Sequence, residues 1–89
     1  SGTTFMSLAV DTLNNLVYTG ADNGQGVYKM PLASGSWTRI SNGLSLQQYE
    51  YIFSLVVDAD GIVYAGGSSS GVYRSVNKGY SWEQINQGL

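Results

Sequence analysis

The sequence repeats itself, and that constrains the fold more than anything else in it. Phe5-Met6-Ser7-Leu8-Ala9-Val10-Asp11 matches Ile52-Phe53-Ser54-Leu55-Val56-Val57-Asp58. Leu16-Val17-Tyr18-Thr19-Gly20 matches Ile62-Val63-Tyr64-Ala65-Gly66, and Gly26-Val27-Tyr28-Lys29 matches Gly71-Val72-Tyr73-Arg74. Ser36-Trp37-Thr38-Arg39-Ile40 matches Ser81-Trp82-Glu83-Gln84-Ile85, and Asn42-Gly43-Leu44 matches Gln87-Gly88-Leu89. The separation of matched residues falls from 47 at Phe5 and Ile52 to 45 at Gly26 and Gly71, and each step of that drift lies in a turn. Two copies of one unit with slightly different loops produce this pattern.

Each copy holds four short β-rich runs separated by turn residues such as Asp22-Asn23-Gly24, Ser34-Gly35, Asp60-Gly61 and Lys78-Gly79. The runs are predicted at 5–11, 16–21, 26–30 and 36–41, and again at 52–58, 62–67, 71–75 and 81–86. No segment carries a helical period. Pro31 falls at the end of the third run, where a missing N–H costs little. The first run of each copy is apolar or small on both faces. Met6, Leu8 and Val10 alternate with Phe5 and Ala9; Phe53, Leu55 and Val57 alternate with Ile52 and Val56. A sheet covered on one side only would alternate apolar with polar residues. Four strands in about 45 residues, repeated, match the blades of a β-propeller, in which each sheet is stacked between two others. The expected fold is therefore all-β: two four-stranded antiparallel blades, residues 1–44 and 52–89, joined by a loop at 45–51.

Ser75-Val76-Asn77-Lys78-Gly79-Tyr80-Ser81-Trp82 resembles the Asp-box of BNR-repeat propellers, S-x-D-x-G-x-T-W, with Asn77 in place of the Asp and Ser81 in place of the Thr. The first copy, Met30 to Trp37, keeps only the Ser-Trp end of the box. In that family the box is a structural clasp. The resemblance implies that Ser75, Asn77, Gly79, Ser81 and Trp82 hold the last hairpin together, and that Trp37 occupies in the first blade the place Trp82 takes in the second. Short polar side chains there can accept backbone N–H bonds, and Gly79 can take a positive φ. The family's members are often exported, so the resemblance also implies an extracellular or periplasmic setting.

Composition narrows the function. The 89 residues contain no cysteine and no histidine, which removes disulfides, thiolate metal sites and the commonest acid–base side chain. Four basic residues and a net charge of −2 do not make a nucleic-acid surface. No apolar run is long enough for a membrane helix. Asp58-Ala59-Asp60-Gly61 has a calcium-like Asp-x-Asp spacing, but the longer loop pattern and its Glu are absent, so it reads as a hairpin turn. Sialidases among BNR proteins resemble one another in an arginine cluster with a Tyr–Glu pair. Here Arg39 and Arg74 are the only arginines, and Glu50 and Glu83 the only glutamates. The sequence therefore reads as non-catalytic, with no cofactor and no metal.

The loop Ser45-Leu46-Gln47-Gln48-Tyr49-Glu50-Tyr51 offers aromatic, amide and acidic side chains. It is expected to share a face with the turns between second and third strands. Gln47, Tyr49, Glu50 and Tyr51, with Asp22 and Asn23, are the candidate ligand residues, suited to carbohydrate or peptide. A propeller closes with about four to eight blades. The sequence carries two, so the reading predicts a lectin-like or protein-binding module completed by oligomerisation. Three identical chains would give six blades, the favoured ring; four would give eight, and two a rarer ring of four. The alternatives are a two-blade fragment of a larger BNR-type glycosidase, or an engineered structural unit without ligand.

Overall fold

The computed structural model describes residues 4–86. It contains eight strands and two sheets among those residues: β1 (Phe5–Asp11), β2 (Leu16–Ala21), β3 (Val27–Pro31) and β4 (Thr38–Arg39), then β5 (Ile52–Val57), β6 (Val63–Gly67), β7 (Gly71–Ser75) and β8 (Glu83–Gln84). Each sheet is an antiparallel meander in chain order. The all-β expectation of two four-stranded antiparallel sheets holds, and the first three strands of each copy fall close to their predicted bounds. The fourth strands do not. β4 and β8 are two residues each where six were expected. The chain before them is occupied by hairpin hydrogen bonds, and after them only Ile40 and Ile85 still donate to the third strands, at the Val27 and Val72 carbonyls, both 2.8 Å.

A register shift occurs at the same place in both first strands, between Phe5 and Ser7 and between Ile52 and Ser54. It corrects the simple alternation read from the sequence. The extra residue of such a bulge reverses the faces on one side of it. Ile52 pairs with Gly67, and Leu55 pairs with Ala65, two positions away on β6. Ile52 therefore shares a face with Leu55 and Val57 rather than opposing them. Phe5 likewise joins the face of Leu8 and Val10.

The sheets pack face to face. Sheet one contributes Leu16, Tyr18, Val27 and Ile40, with Ala9 packed at the margin. Sheet two contributes the opposite kind of face: Ile52, Leu55, Val63, Ala65, Tyr73 and Trp82, with Val57 at the margin. Ser7 Oγ donates to the Ile52 carbonyl at 2.9 Å and fixes the height of one sheet on the other. The phenol of Tyr18 is buried without a hydrogen-bond partner. Burial, with Asp11 nearby, pushes its pKa up to about 12, so it stays a neutral phenol.

Matched residues of the two copies have opposite fates. Leu55 is 8% exposed, whereas its counterpart Leu8 is 65% exposed. Leu55 and Val57 form part of the inter-sheet contact, while their counterparts Leu8 and Val10 are exposed. Trp82 is 6% exposed, but Trp37 is 42% exposed and lies against Phe5, with ring centroids 6.4 Å apart. Trp37 thus does not repeat the buried position of Trp82. Trp82 is covered by the sheet that precedes its own, and no described sheet precedes β1–β4.

Candidate functional site

The loop between sheets and the turn between β2 and β3 meet at one end of the molecule. The Gly24 N–H donates to the Glu50 carbonyl at 2.7 Å. Gly24 has φ 72°, and a Cβ there would sit 2.9 Å from the Gln47 carbonyl oxygen and 3.0 Å from that of Gln48. Only glycine allows both the left-handed backbone and this approach. Asp22 accepts the Thr4 N–H at 3.0 Å, and Asn23 takes φ 53° at the corner of the turn. The contact therefore places Asp22 and Asn23 beside the segment carrying Gln47, Tyr49 and Glu50.

The candidates divide into two groups there. Tyr49 is 73% exposed, and Gln47 and Asn23 are exposed as well. Tyr51 is held edge-on to Phe53 at a centroid distance of 6.3 Å. Glu50 is different: it is buried, and its carboxylate faces inward. Oε1 accepts the Gln47 N–H at 2.9 Å; Oε2 accepts the N–H groups of Ser69 and Ser70 at 2.9 and 2.7 Å and the Ser70 hydroxyl at 2.8 Å. Glu50 is a clasp that ties the inter-sheet loop to the turn between β6 and β7. Its type and position suggested a ligand group because sequence does not show which way a carboxylate points.

Burial pushes the Glu50 pKa up, but the hydrogen bonds from Gln47, Ser70 and Ser69 outweigh it and hold the carboxyl below its ordinary value of 4.5. A depressed folded pKa means that the ionised form stabilises the fold. That contribution is fully present above pH 4.5 and is lost as pH falls through the lower folded value. We expect Glu50→Gln to cost about 2–3 kcal/mol at neutral pH, because an amide leaves several inward N–H groups poorly paired. Urea unfolding at pH 7 and pH 3 measures this. The gap between variant and wild type should narrow at pH 3; an unchanged gap would show that the charge contributes nothing.

At the opposite end of sheet two, the hairpin after β7 is closed by its own side chains. Ser75 Oγ accepts the Gly79 N–H at 2.8 Å and donates to Asn77 Oδ1 at 2.9 Å. Asn77 Oδ1 accepts the Ser81 N–H at 3.0 Å, and Asn77 Nδ2 donates to Ser81 Oγ at 2.8 Å. Lys78 and Gly79 carry positive φ of 62° and 86°, and a Cβ on Gly79 would collide with Ile40. Trp82 then crosses to the first sheet: its indole N–H donates to the Ile40 carbonyl at 2.6 Å, and its backbone N–H donates to the Asn42 carbonyl at 2.9 Å. Residues Ser75, Asn77, Gly79, Ser81 and Trp82 thus form a clasp and an anchor. Asp58 makes a tight turn, its Oδ1 accepting the N–H groups of Asp60 and Ile62 at 2.9 and 3.0 Å. No group of three or more potential metal-ligating acidic side chains occurs among the described residues.

Sequence reasoning passed over Lys29, Lys78 and Tyr80, which converge at this hairpin end. They come from non-equivalent positions of the two copies, so the repeat pattern does not flag them. Lys29 sits in the middle of β3 and Lys78 in the turn between β7 and β8, 49 residues apart, so nothing local in the sequence joins them. No family model matches the chain, and no curated protein matches it significantly.

Proposed function

We propose that this chain is a non-catalytic binding module of BNR-like propeller blades, working as a ring that further copies of the chain close head to tail. One observation carries the reading: the two outward faces are the two halves of the contact already made inside the chain. Facing outward on sheet one are Phe5, Leu8, Val10 and Trp37, counterparts of the buried Ile52, Leu55 and Trp82 and the partly buried Val57. On the outward face of sheet two are Val56, Ile62, Tyr64 and Ile85, counterparts of Ala9, Leu16, Tyr18 and Ile40. A contact between unlike faces is heterologous, and it closes a ring when its rotation allows. Exposed apolar faces of this size mark interaction surfaces.

Six blades from three chains is the favoured ring. The ligand face is the end where the inter-sheet loop meets the turn after β2, with Tyr49, Tyr51, Gln47, Asp22 and Asn23 offering an aromatic plane and amide or carboxylate groups. A sugar or a peptide suits that chemistry. Light scattering on dilute protein tests the assembly. A mass of about three chains is expected; a folded, monodisperse single chain would overturn the ring.

A further inference from the structure

A groove of about 390 Å³ opens between the sheets at the hairpin end. Its floor is Leu16, Pro31 and Ile40, and Lys29, Lys78 and Tyr80 line it together with Asn14 and Thr38. That volume is within the range of small-ligand sites. Because hairpin connections put the β1–β2 turn and the β3–β4 turn at one end, the groove lies at the opposite end from the Tyr49 loop.

Its charge is unbalanced. Lys29 Nζ donates to the Lys78 carbonyl at 2.7 Å and lies 4.3 Å from the centroid of the Tyr80 ring. Neither lysine makes an ion pair among the described residues, where the single salt bridge joins Arg74 to Glu83 at 2.7 Å. Arg74 faces Glu83 across β7 and β8, and Lys29 faces Thr38 across β3 and β4. One copy thus carries its own counter-charge, whereas the other has a hydroxyl in that place. Desolvation, then the neighbouring Lys78 charge, lowers the Lys29 pKa, so an anion in the groove would relieve a repulsion already present.

We propose that this groove binds a small carboxylate-bearing sugar, its carboxylate between the lysines and its ring on the apolar floor beside Tyr80. Two cations match one carboxylate; the apolar floor and exposed aromatic ring suit the C–H face of a sugar, and Asn14 and Thr38 suit its hydroxyls. The site lies within one chain, so it does not depend on ring closure, and light scattering reports separately on the ring.

The test is calorimetric and NMR titration of the full chain with glucuronate, using glucose, acetate and inorganic phosphate as parallel probes at low and high salt. Glucuronate should bind more tightly than any of the other three and weaken as salt rises. Lys78→Asn removes a charge while retaining a residue that tolerates positive φ. It should lower glucuronate affinity at least about tenfold, the effect expected of losing a charge-assisted contact. Thr38→Glu places on Lys29 the partner that Arg74 already has, and it should abolish binding without changing the fold. Glucuronate binding no better than glucose, or as tightly to both variants as to wild type, would overturn the site. Acetate or phosphate matching glucuronate would overturn its assignment to a sugar acid.

Discussion

Replacing Trp82 with alanine is expected to cost about 3–5 kcal/mol of stability, the range for a buried tryptophan. The indole is almost fully covered and fills the contact between the sheets. Its removal would also leave the Ile40 carbonyl without its 2.6 Å donor at a buried position. Domains of this size are stable by only about 5–15 kcal/mol, so the variant should sit near the folding threshold. Urea unfolding at one fixed protein concentration measures the loss, because assembly would make stability concentration-dependent. Trp82→Phe separates the two contributions: it keeps most of the apolar volume and loses the N–H, and should cost about 1–2 kcal/mol. A Trp82→Ala variant that unfolds at the wild-type midpoint would contradict the anchoring role. Trp37 makes the experiment informative about the ring. In a single chain Trp37→Ala should cost about 1 kcal/mol or less, since the indole is 42% exposed and its stacking partner Phe5 is exposed as well. In a closed ring it becomes an equivalent of Trp82, and its removal should cost nearly as much.

The second large effect is expected from charges placed on the outward faces. Leu8→Glu or Val56→Glu puts a carboxylate where a second copy would dock. Both side chains are exposed in the single chain, so each substitution should change its intrinsic stability by no more than about 0.5 kcal/mol. A buried, unpaired carboxylate in the assembled interface costs several kcal/mol, enough to disfavour assembly at micromolar concentration. The expected result is therefore a folded species of one-chain mass by light scattering, with an unchanged far-ultraviolet spectrum. A variant that keeps the wild-type oligomeric mass would remove these faces from the interface. Opposite charges offer a further arm. Leu8→Lys mixed with Val56→Glu should assemble better than either alone if the two faces meet, since an unpaired charge then gains a partner.

Much of the architecture was legible in the residues. The matched segments located six of the eight strands closely, because strand patterning and turn residues are local properties. Asp58-Ala59-Asp60-Gly61 read correctly as a turn, since an Asp side chain caps backbone N–H groups two and four residues on, as Asp58 does. Ser75, Asn77 and Gly79 were legible as a hairpin clasp for the same reason: every bond in it spans four residues or fewer.

The candidate site was less legible, and Glu50 shows why. Its partners Ser69 and Ser70 are about twenty residues away, and only the packing of two loops decides that the carboxylate turns inward. The two register shifts escaped for a related reason. Phe5 and Ile52 fit the alternation of either face, and the backbone partner across the sheet decides between them. Lys29 and Lys78, 49 residues apart, meet only because the sheets stack.

The sequence by itself determined the unit: an all-β repeat of four short strands, made twice, with its turns and last hairpin specified by residues close in the chain. It could not determine which apolar residues are covered, because two copies of one pattern are alike as sequence. The tertiary structure breaks that likeness. One sheet lies behind the other, so Trp82 and Leu55 are buried while Trp37 and Leu8 remain exposed. The physical reason is that burial belongs to a face and to whatever is stacked on it, and stacking is a relation between distant segments rather than a property of either one.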